Sequence, residues 1–198
     1  MATKPLPATR DETDALAKKF FASLAQESDR GCVLVGAAFI DEGLEILLRS
    51  KMLSEGKDVK KCVDPLFVGL GPLRSFWAKT QLCRALDLLD EWMYDDLERI
   101  RNLRNLFAHS YENANFDDER VIALTEGLVS ADKVVQAIEK LPKSDGTTQP
   151  MPQPGRGQES PRPLRASDKE RKRFTLSASY LAGLIHGRAH AHMERQAK

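Results

Sequence analysis

The feature that most constrains the fold is the helical spacing of apolar residues along nearly the whole chain. Residues 30–52 show it most clearly, because at 100° per residue their apolar side chains cover one broad arc and their charged side chains share the remaining sector. The apolar set is Val33, Ala37, Ile40, Leu44, Leu47 and Leu48, and the charged set is Asp41, Glu42, Glu45 and Arg49. We expect a mostly buried helix that carries an acidic stripe.

The same periodicity predicts further helices over about residues 12–28, 73–90, 94–110 and 118–141, and from Ser167 onward. Turn signals lie between them, at residues 63–65 (VDP) and 69–72 (GLGP). No stretch shows the alternating pattern of a β-strand. The predicted fold class is therefore all-α, an irregular multi-helix bundle with a flexible Pro-rich linker and a C-terminal helix.

The linker is predicted from its composition. Six of the ten prolines fall between Pro142 and Pro163, together with three glycines and almost no apolar residues. Such a stretch cannot bury enough apolar surface to hold a packed element. We divide the chain into a helical regulator-like domain over 10–141, a flexible linker over 142–166 and a basic C-terminal helix over 167–198.

Charge is unevenly distributed along the chain. From Arg156 to Lys198 there are ten Lys and Arg against four Asp and Glu, a balance of +6, which leaves residues 1–155 at −5. A basic tail is compatible with nucleic acid or with an acidic protein partner. The side chains that could contact phosphates are Lys169, Arg171, Lys172 and Arg173.

Size and cysteine usage indicate a cytoplasmic protein with one core. The longest apolar run, residues 31–40, is far shorter than the roughly 20 residues that cross a bilayer, so we expect no membrane span. The amino terminus lacks the pattern of a secretory signal. Cys32, Cys62 and Cys83 are odd in number and widely spaced, which favours reduced thiols.

The histidines near the carboxyl terminus are the only candidates for a metal site. His186 and His190 have the i, i+4 spacing of many metal ligands, and His192 follows. Gly187 stands where a zinc hydrolase motif places its acid. We therefore expect no metal site and no cofactor.

The polar residues of segment 97–110 are the main functional candidates. Its core face, from Leu97 to Phe107, includes Arg104, whereas Asn105 and His109 follow at the edge. A buried arginine keeps its charge and must be paired. The acidic stripe of Asp41, Glu42 and Glu45 is the expected partner, which predicts a polar clamp between two helices.

Two other interpretations of these residues stay open. Under the first, His109 acts as general acid or base at a 2′-hydroxyl and Arg104 stabilises the charge that develops on the phosphate, as in a metal-independent ribonuclease. Their five-residue spacing places the side chains about 140° apart, so such a site needs the helix to end near His109 or a second subunit. Under the second, the residues bind a ligand or a partner.

Four separated motifs resemble the mannitol operon repressor family of bacteria, over about residues 10–140. They are GAAFIDEGL at 36–44, DPLF at 64–67, GPLRSF at 71–76 and DLERIRNLRNLFAH at 96–109. The resemblance implies an all-helical, non-enzymatic cytoplasmic transcriptional regulator without a helix-turn-helix, acting through protein or nucleic-acid contacts.

The segment from Arg104 to His109 also resembles the R-x(4–6)-H motif of the HEPN superfamily, which includes ribonucleases and toxin components that often act as dimers. That resemblance implies catalytic roles for Arg104 and His109, with Asn105 as the polar residue beside the arginine. We keep an endoribonuclease of this type as the alternative function, and we expect that a helical body of this kind can form a homodimer.

Overall fold

The computed structural model describes residues 19–20, 22–24, 26–52, 59–109, 114–139 and 166–196. Helices dominate these residues and none of them lies in a strand, so the predicted all-α class is confirmed. The predicted linker, apart from Ala166, lies outside the described residues. The part of the chain that the structure describes contains no helix long and apolar enough to cross a membrane.

The helices follow one another along the chain, after short helical pieces at residues 19–20, 22–24 and 26. They are α1 (Asp29–Met52), α2 (Val59–Cys62), α3 (Asp64–Phe67), α4 (Phe76–Ala85), α5 (Glu91–His109), α6 (Glu119–Glu126), α7 (Val129–Glu139) and α8 (Ala166–Gln196).

The single helix expected over 118–141 is two helices, α6 and α7, with a break at Gly127. The buried carboxylate of Asp96, on α5, accepts hydrogen bonds from the backbone N–H groups of Val129 (3.0 Å) and Ser130 (2.8 Å). It thereby satisfies two of the amides that a helix leaves unpaired at its start. Sequence periodicity did not reveal this break because the capping group comes from a distant helix.

The core forms where α1 packs along α8. The predicted apolar face of α8 is buried, and it belongs to the same hydrophobic cluster as the apolar face of α1 and the core residues of α5. On α8 this face consists of Phe174, Ala178, Leu181 and Ile185. The segment that follows the predicted linker thus completes the core of the body.

Two glycines of α1 allow this close approach. A Cβ atom on Gly36 would lie 2.9 Å from a ring carbon of Phe174, and one on Gly43 would lie 3.2 Å from the Nε2 atom of His186. Their seven-residue spacing places both on the face that α8 covers. Any larger side chain at Gly36 must displace an aromatic ring that is fully buried.

We expect Gly36→Ala to destabilise the protein by about 1–3 kcal/mol, because overpacking a filled core forces side chains off their preferred positions. Gly187→Ala is the matched control, since Gly187 is exposed in α8 and a Cβ atom added there would meet no neighbouring side chain within 4 Å. There the gain in helix propensity predicts stabilisation of up to about 1 kcal/mol. Urea unfolding measures the free energy of unfolding of both variants. A Gly36→Ala protein as stable as the parent would contradict the close packing of α1 against α8.

His186 lies in this interface, and among the described residues neither of its ring nitrogens has a hydrogen-bond partner. Its side chain is 3% exposed and contacts the ring of Phe39, which in turn stacks on Phe20. Burial lowers the pKa of His186 below its ordinary value of 6.5, and the nearby charge of His190 lowers this pKa further. The neutral imidazole is the form that this interface accommodates.

The free energy of unfolding should therefore depend on pH through His186. The unfolded chain binds a proton near pH 6.5 and the folded chain only at lower pH, so this contribution is present above pH 6.5 and is lost as the pH falls below it. In His186→Phe the loss of stability between about pH 7.5 and about pH 5 should be smaller than in the parent. Equal losses in the two proteins, measured by urea unfolding, would contradict this role.

Candidate functional site

Segments that carry three of the four sequence motifs meet at one surface cleft of about 360 Å³, which we call the Arg104 cleft. Asp41 comes from α1 and Arg104 comes from α5. The rest of the lining comes from the loop that leads into α4 and from Phe76, the first residue of that helix. The lining residues are Asp41, Gly71, Pro72, Arg74, Ser75, Phe76 and Arg104. This convergence makes the cleft the candidate functional site.

The loop that forms one wall has a conformation that favours glycine at two positions. Gly69 adopts a φ of 61°, in the left-handed region. A Cβ atom on Gly71 would lie 2.4 Å from the carbonyl oxygens of Pro65 and Leu66. The backbone N–H of Leu73 donates to the carbonyl of Leu66 at 2.8 Å, which holds the loop against α3.

The helix expected from residue 73 begins instead at Phe76. The Ser75 side chain accepts a hydrogen bond from the backbone N–H of Ala78 at 3.1 Å, which is the usual arrangement of an N-cap. The start of α4 is thereby fixed at the edge of the cleft.

A buried lysine lies behind the cleft. Lys79, on α4, is 3% exposed, and its Nζ atom lies 2.8 Å from Oδ1 of Asp41 and 3.7 Å from Oε2 of Glu45. Burial raises the pKa of Asp41, against the opposing effects of the hydrogen bond and charge of Lys79 and of the charge of Arg104. The buried cation that pairs with the acidic stripe of α1 is therefore Lys79 of α4.

Arg49 extends this ion-pair network to α3. Its guanidinium contacts Glu45 at 2.9 Å and Asp64 at 2.6 Å, and it lies 4.4 Å from the centre of the Phe67 ring. Asp64 and Phe67 belong to the DPLF motif. All four motifs are thus joined by the network or by the cleft.

The expectation that Arg104 is buried in an ion pair with the acidic stripe is wrong. Its side chain is exposed, because the space between α5 and the loop at 71–76 is open and the long side chain reaches water there. Glu42 is also exposed. The missed residue, Lys79, could have been found from its spacing, since it lies on the buried face of α4 between Phe76 and Cys83.

Asn105 and His109 are exposed, and His109 is the last residue of α5. The carbonyl of Ala108, in the same last turn, accepts a hydrogen bond from Arg30 of α1 at 3.0 Å. Among the described residues no bond joins His109 to Arg104. A catalytic pairing of the two stays a prediction.

Two of the four candidate phosphate-contacting residues hold the body of the fold together. Arg171 forms a 2.6 Å ion pair with Asp29 and donates to the backbone carbonyls of Leu24 and Glu27. These contacts join α8 to the start of α1.

Arg173 closes the carboxyl end of α6. Its guanidinium donates to the carbonyls of Thr125 (3.2 Å), Glu126 (3.0 Å) and Leu128 (3.0 Å) and pairs with Asp132 at 2.9 Å. Cations are favoured at this end of a helix.

The other two residues of that set, Lys169 and Lys172, are exposed. Lys169 lies 3.5 Å from the buried carboxylate of Glu170. In the described ranges no group of three or more histidine, cysteine or carboxylate side chains could hold a metal ion together.

Comparison with known proteins identifies relatives of the chain. The family model described as mannitol repressor matches residues 21–156. Mannitol operon repressors from two Escherichia coli strains, K12 and O6:H1, are each 24% identical over 118 residues, which is 59% of this chain and 60% of theirs. The chain thus spans about 60% of the length of these curated relatives.

Two solved structures share the fold. YggD from Shigella flexneri, described as a possible transcriptional regulator, has a TM-score of 0.64 at 15% identity and covers 85% of this chain and 97% of its own. The MtlR–HPr complex from Escherichia coli has a TM-score of 0.63 at 19% identity. The match covers 87% of this chain and 99% of the solved chain. At these identities the likeness shows the fold alone.

We expect Lys79→Met to destabilise the protein by roughly 1–3 kcal/mol, because it removes the ammonium group that pairs with Asp41. The loss is limited because the carboxylates of Asp41 and Glu45 are only partly shielded from water. The matched control is Arg104→Met, which removes an exposed charge and should change stability by less than about 0.5 kcal/mol. Thermal or urea unfolding compares the two. A larger loss in Arg104→Met would restore Arg104 as the clamp residue.

Proposed function

Because this chain belongs to the mannitol repressor family, we propose that it is a transcriptional regulator that acts through contacts with a protein partner. The predicted resemblance to that family is confirmed by a family model that matches more than half of the chain. This match is the observation that carries the proposal. The fold that it shares with a possible transcriptional regulator from Shigella flexneri agrees with it.

Two observations favour a protein partner over direct nucleic-acid contact. The related fold in Escherichia coli has been solved as a complex with HPr, so we infer HPr or a similar protein as the partner class. In addition, Arg171 and Arg173 are engaged by Asp29 and Asp132 and by helix-end carbonyls. Their charges are therefore largely offset within the fold, which weakens the basic tail as a phosphate-binding surface.

The loop beside the Arg104 cleft is the best-supported contact surface. Leu70 is 100% exposed and Val68 is 60% exposed, and both are large apolar side chains. Their loop is held by the hydrogen bonds from the N–H of Gly71 to the carbonyl of Val68 (2.9 Å) and from the N–H of Leu73 to the carbonyl of Leu66 (2.8 Å). Clustered apolar residues at a surface mark sites of protein contact. A fixed loop also loses little conformational freedom on binding.

Isothermal titration calorimetry with Escherichia coli HPr tests this proposal. We expect saturable binding that Leu70→Ser weakens by about tenfold or more, as for a central apolar contact. Val135→Ser is the matched control, because Val135 is a 46% exposed apolar residue on α7. Absence of binding would contradict the partner class, and equal affinities of the two variants would contradict the surface.

The ribonuclease alternative has a direct test. Arg104 and His109 lie on one helix and are exposed, and among the described residues no hydrogen bond joins them. We expect purified protein to leave single-stranded RNA intact in the presence of EDTA. Cleavage that persists in EDTA and disappears in a folded His109→Ala variant would overturn the non-enzymatic proposal. Nucleic-acid binding and homodimer formation stay predictions.

A further inference from the structure

We propose that the Arg104 cleft binds a small ligand that carries a phosphate or carboxylate group. This inference concerns an effector site and does not depend on the proposed contact with a protein partner. It rests on two arginines that face one cleft, on a lining whose one carboxylate, Asp41, also pairs with Lys79, and on a wall that is already in place.

The two arginines come from different parts of the fold. Arg74 belongs to the loop before α4 and Arg104 to the next-to-last turn of α5, and both are exposed and line the same cleft. Each guanidinium is a planar group with five N–H donors that fits the oxygens of phosphate and carboxylate. Two such groups at one opening favour an anion.

Neither arginine forms an ion pair within the described ranges. Arg74 donates to the carbonyl of Gly69 at 3.1 Å, a neutral acceptor that leaves its charge in place. Asp41 is the carboxylate that lines the cleft with Arg104, but its Oδ1 atom lies 2.8 Å from the Lys79 ammonium. The lining of the cleft therefore holds two guanidinium groups and one carboxylate, and that carboxylate also pairs with Lys79, so positive charge exceeds negative charge at the cleft.

The wall of the cleft is formed before a ligand binds. The N–H of Leu73 holds the loop against α3 through the carbonyl of Leu66, the missing side chain of Gly71 permits this close approach, and Ser75 caps the start of α4. The backbone at the start of α4 adds partial positive charge on the same side as Arg74. A site with fixed walls loses little conformational entropy when it binds.

The volume of the cleft and the carboxylate of Asp41 indicate which class of ligand fits. A cleft of about 360 Å³ is at the lower end of the range for small-molecule sites, so it has room for more than a lone inorganic ion. Asp41, at the wall, can accept a hydrogen bond from a hydroxyl group of the ligand. We therefore infer a small organic phosphate or carboxylate that also carries hydroxyl groups.

Isothermal titration calorimetry on the full chain, with glycerol 3-phosphate, glycerate, inorganic phosphate and glycerol as probes, tests this inference. We expect glycerol 3-phosphate or glycerate to bind at one site more tightly than inorganic phosphate, and glycerol not to bind. Arg74→Gln and Arg104→Gln should each weaken binding by roughly tenfold, the loss of one charge-assisted contact. Preference for the phosphate or for the carboxylate probe identifies the anionic group.

Lys51→Gln is the matched control, because it removes one exposed positive charge from the last turn of α1, outside the cleft lining. The affinity of this variant for each probe should equal that of the parent. Equal weakening in Lys51→Gln and Arg104→Gln would show non-specific attraction to net charge and would overturn the proposal. Absence of binding of every anionic probe would also overturn it, provided that circular dichroism shows the parent to be folded. Either outcome leaves the HPr titration unaffected.

Discussion

The close packing of α1 against α8 is the contact on which the rest of the structure depends. Gly36 and Gly43 remove the side chains that would separate the two helices, and Phe174 and His186 occupy the space that remains. Because interiors are packed at crystal-like density, this interface fixes the relative positions of α1 and α8 closely. The apolar face of α5 joins the same hydrophobic cluster, and Arg104 reaches the surface where the cleft beside α5 is open.

The charges beside that interface position the candidate site. Lys79 is buried, and it is tolerated there because Asp41 and Glu45 lie within ion-pair distance. Arg49 pairs with Glu45 of α1 and with Asp64 of the short helix α3. The carbonyl of Leu66 in α3 accepts a hydrogen bond from Leu73, in the loop that lines the cleft. The acidic stripe of α1 thus has a structural role, since its carboxylates pair with Lys79 and Arg49.

Much of the fold and part of the site could be predicted from the sequence. The apolar faces of α1, α5 and α8 are buried as their spacing indicates, and the motif residues Asp41 and Arg104 do lie close together. The prediction that Arg104 is the buried cation is wrong. A helical projection places Arg104 on the core side of α5, but it does not show whether another element covers that position. The split between α6 and α7 was missed because it depends on Asp96 of another helix.

Most of the helices and their buried faces follow from the local sequence, because helix periodicity and capping residues act over a few residues. The motifs also indicate the family. Which charged residue is buried and which one faces water depends on the packing of distant segments. That choice depends on whether another segment covers a given position, and here α8 covers α1 whereas the loop at residues 71–76 leaves Arg104 uncovered. Burial depends on such distant contacts. For this reason Arg104 of the motif is exposed, whereas Lys79 of α4 is buried.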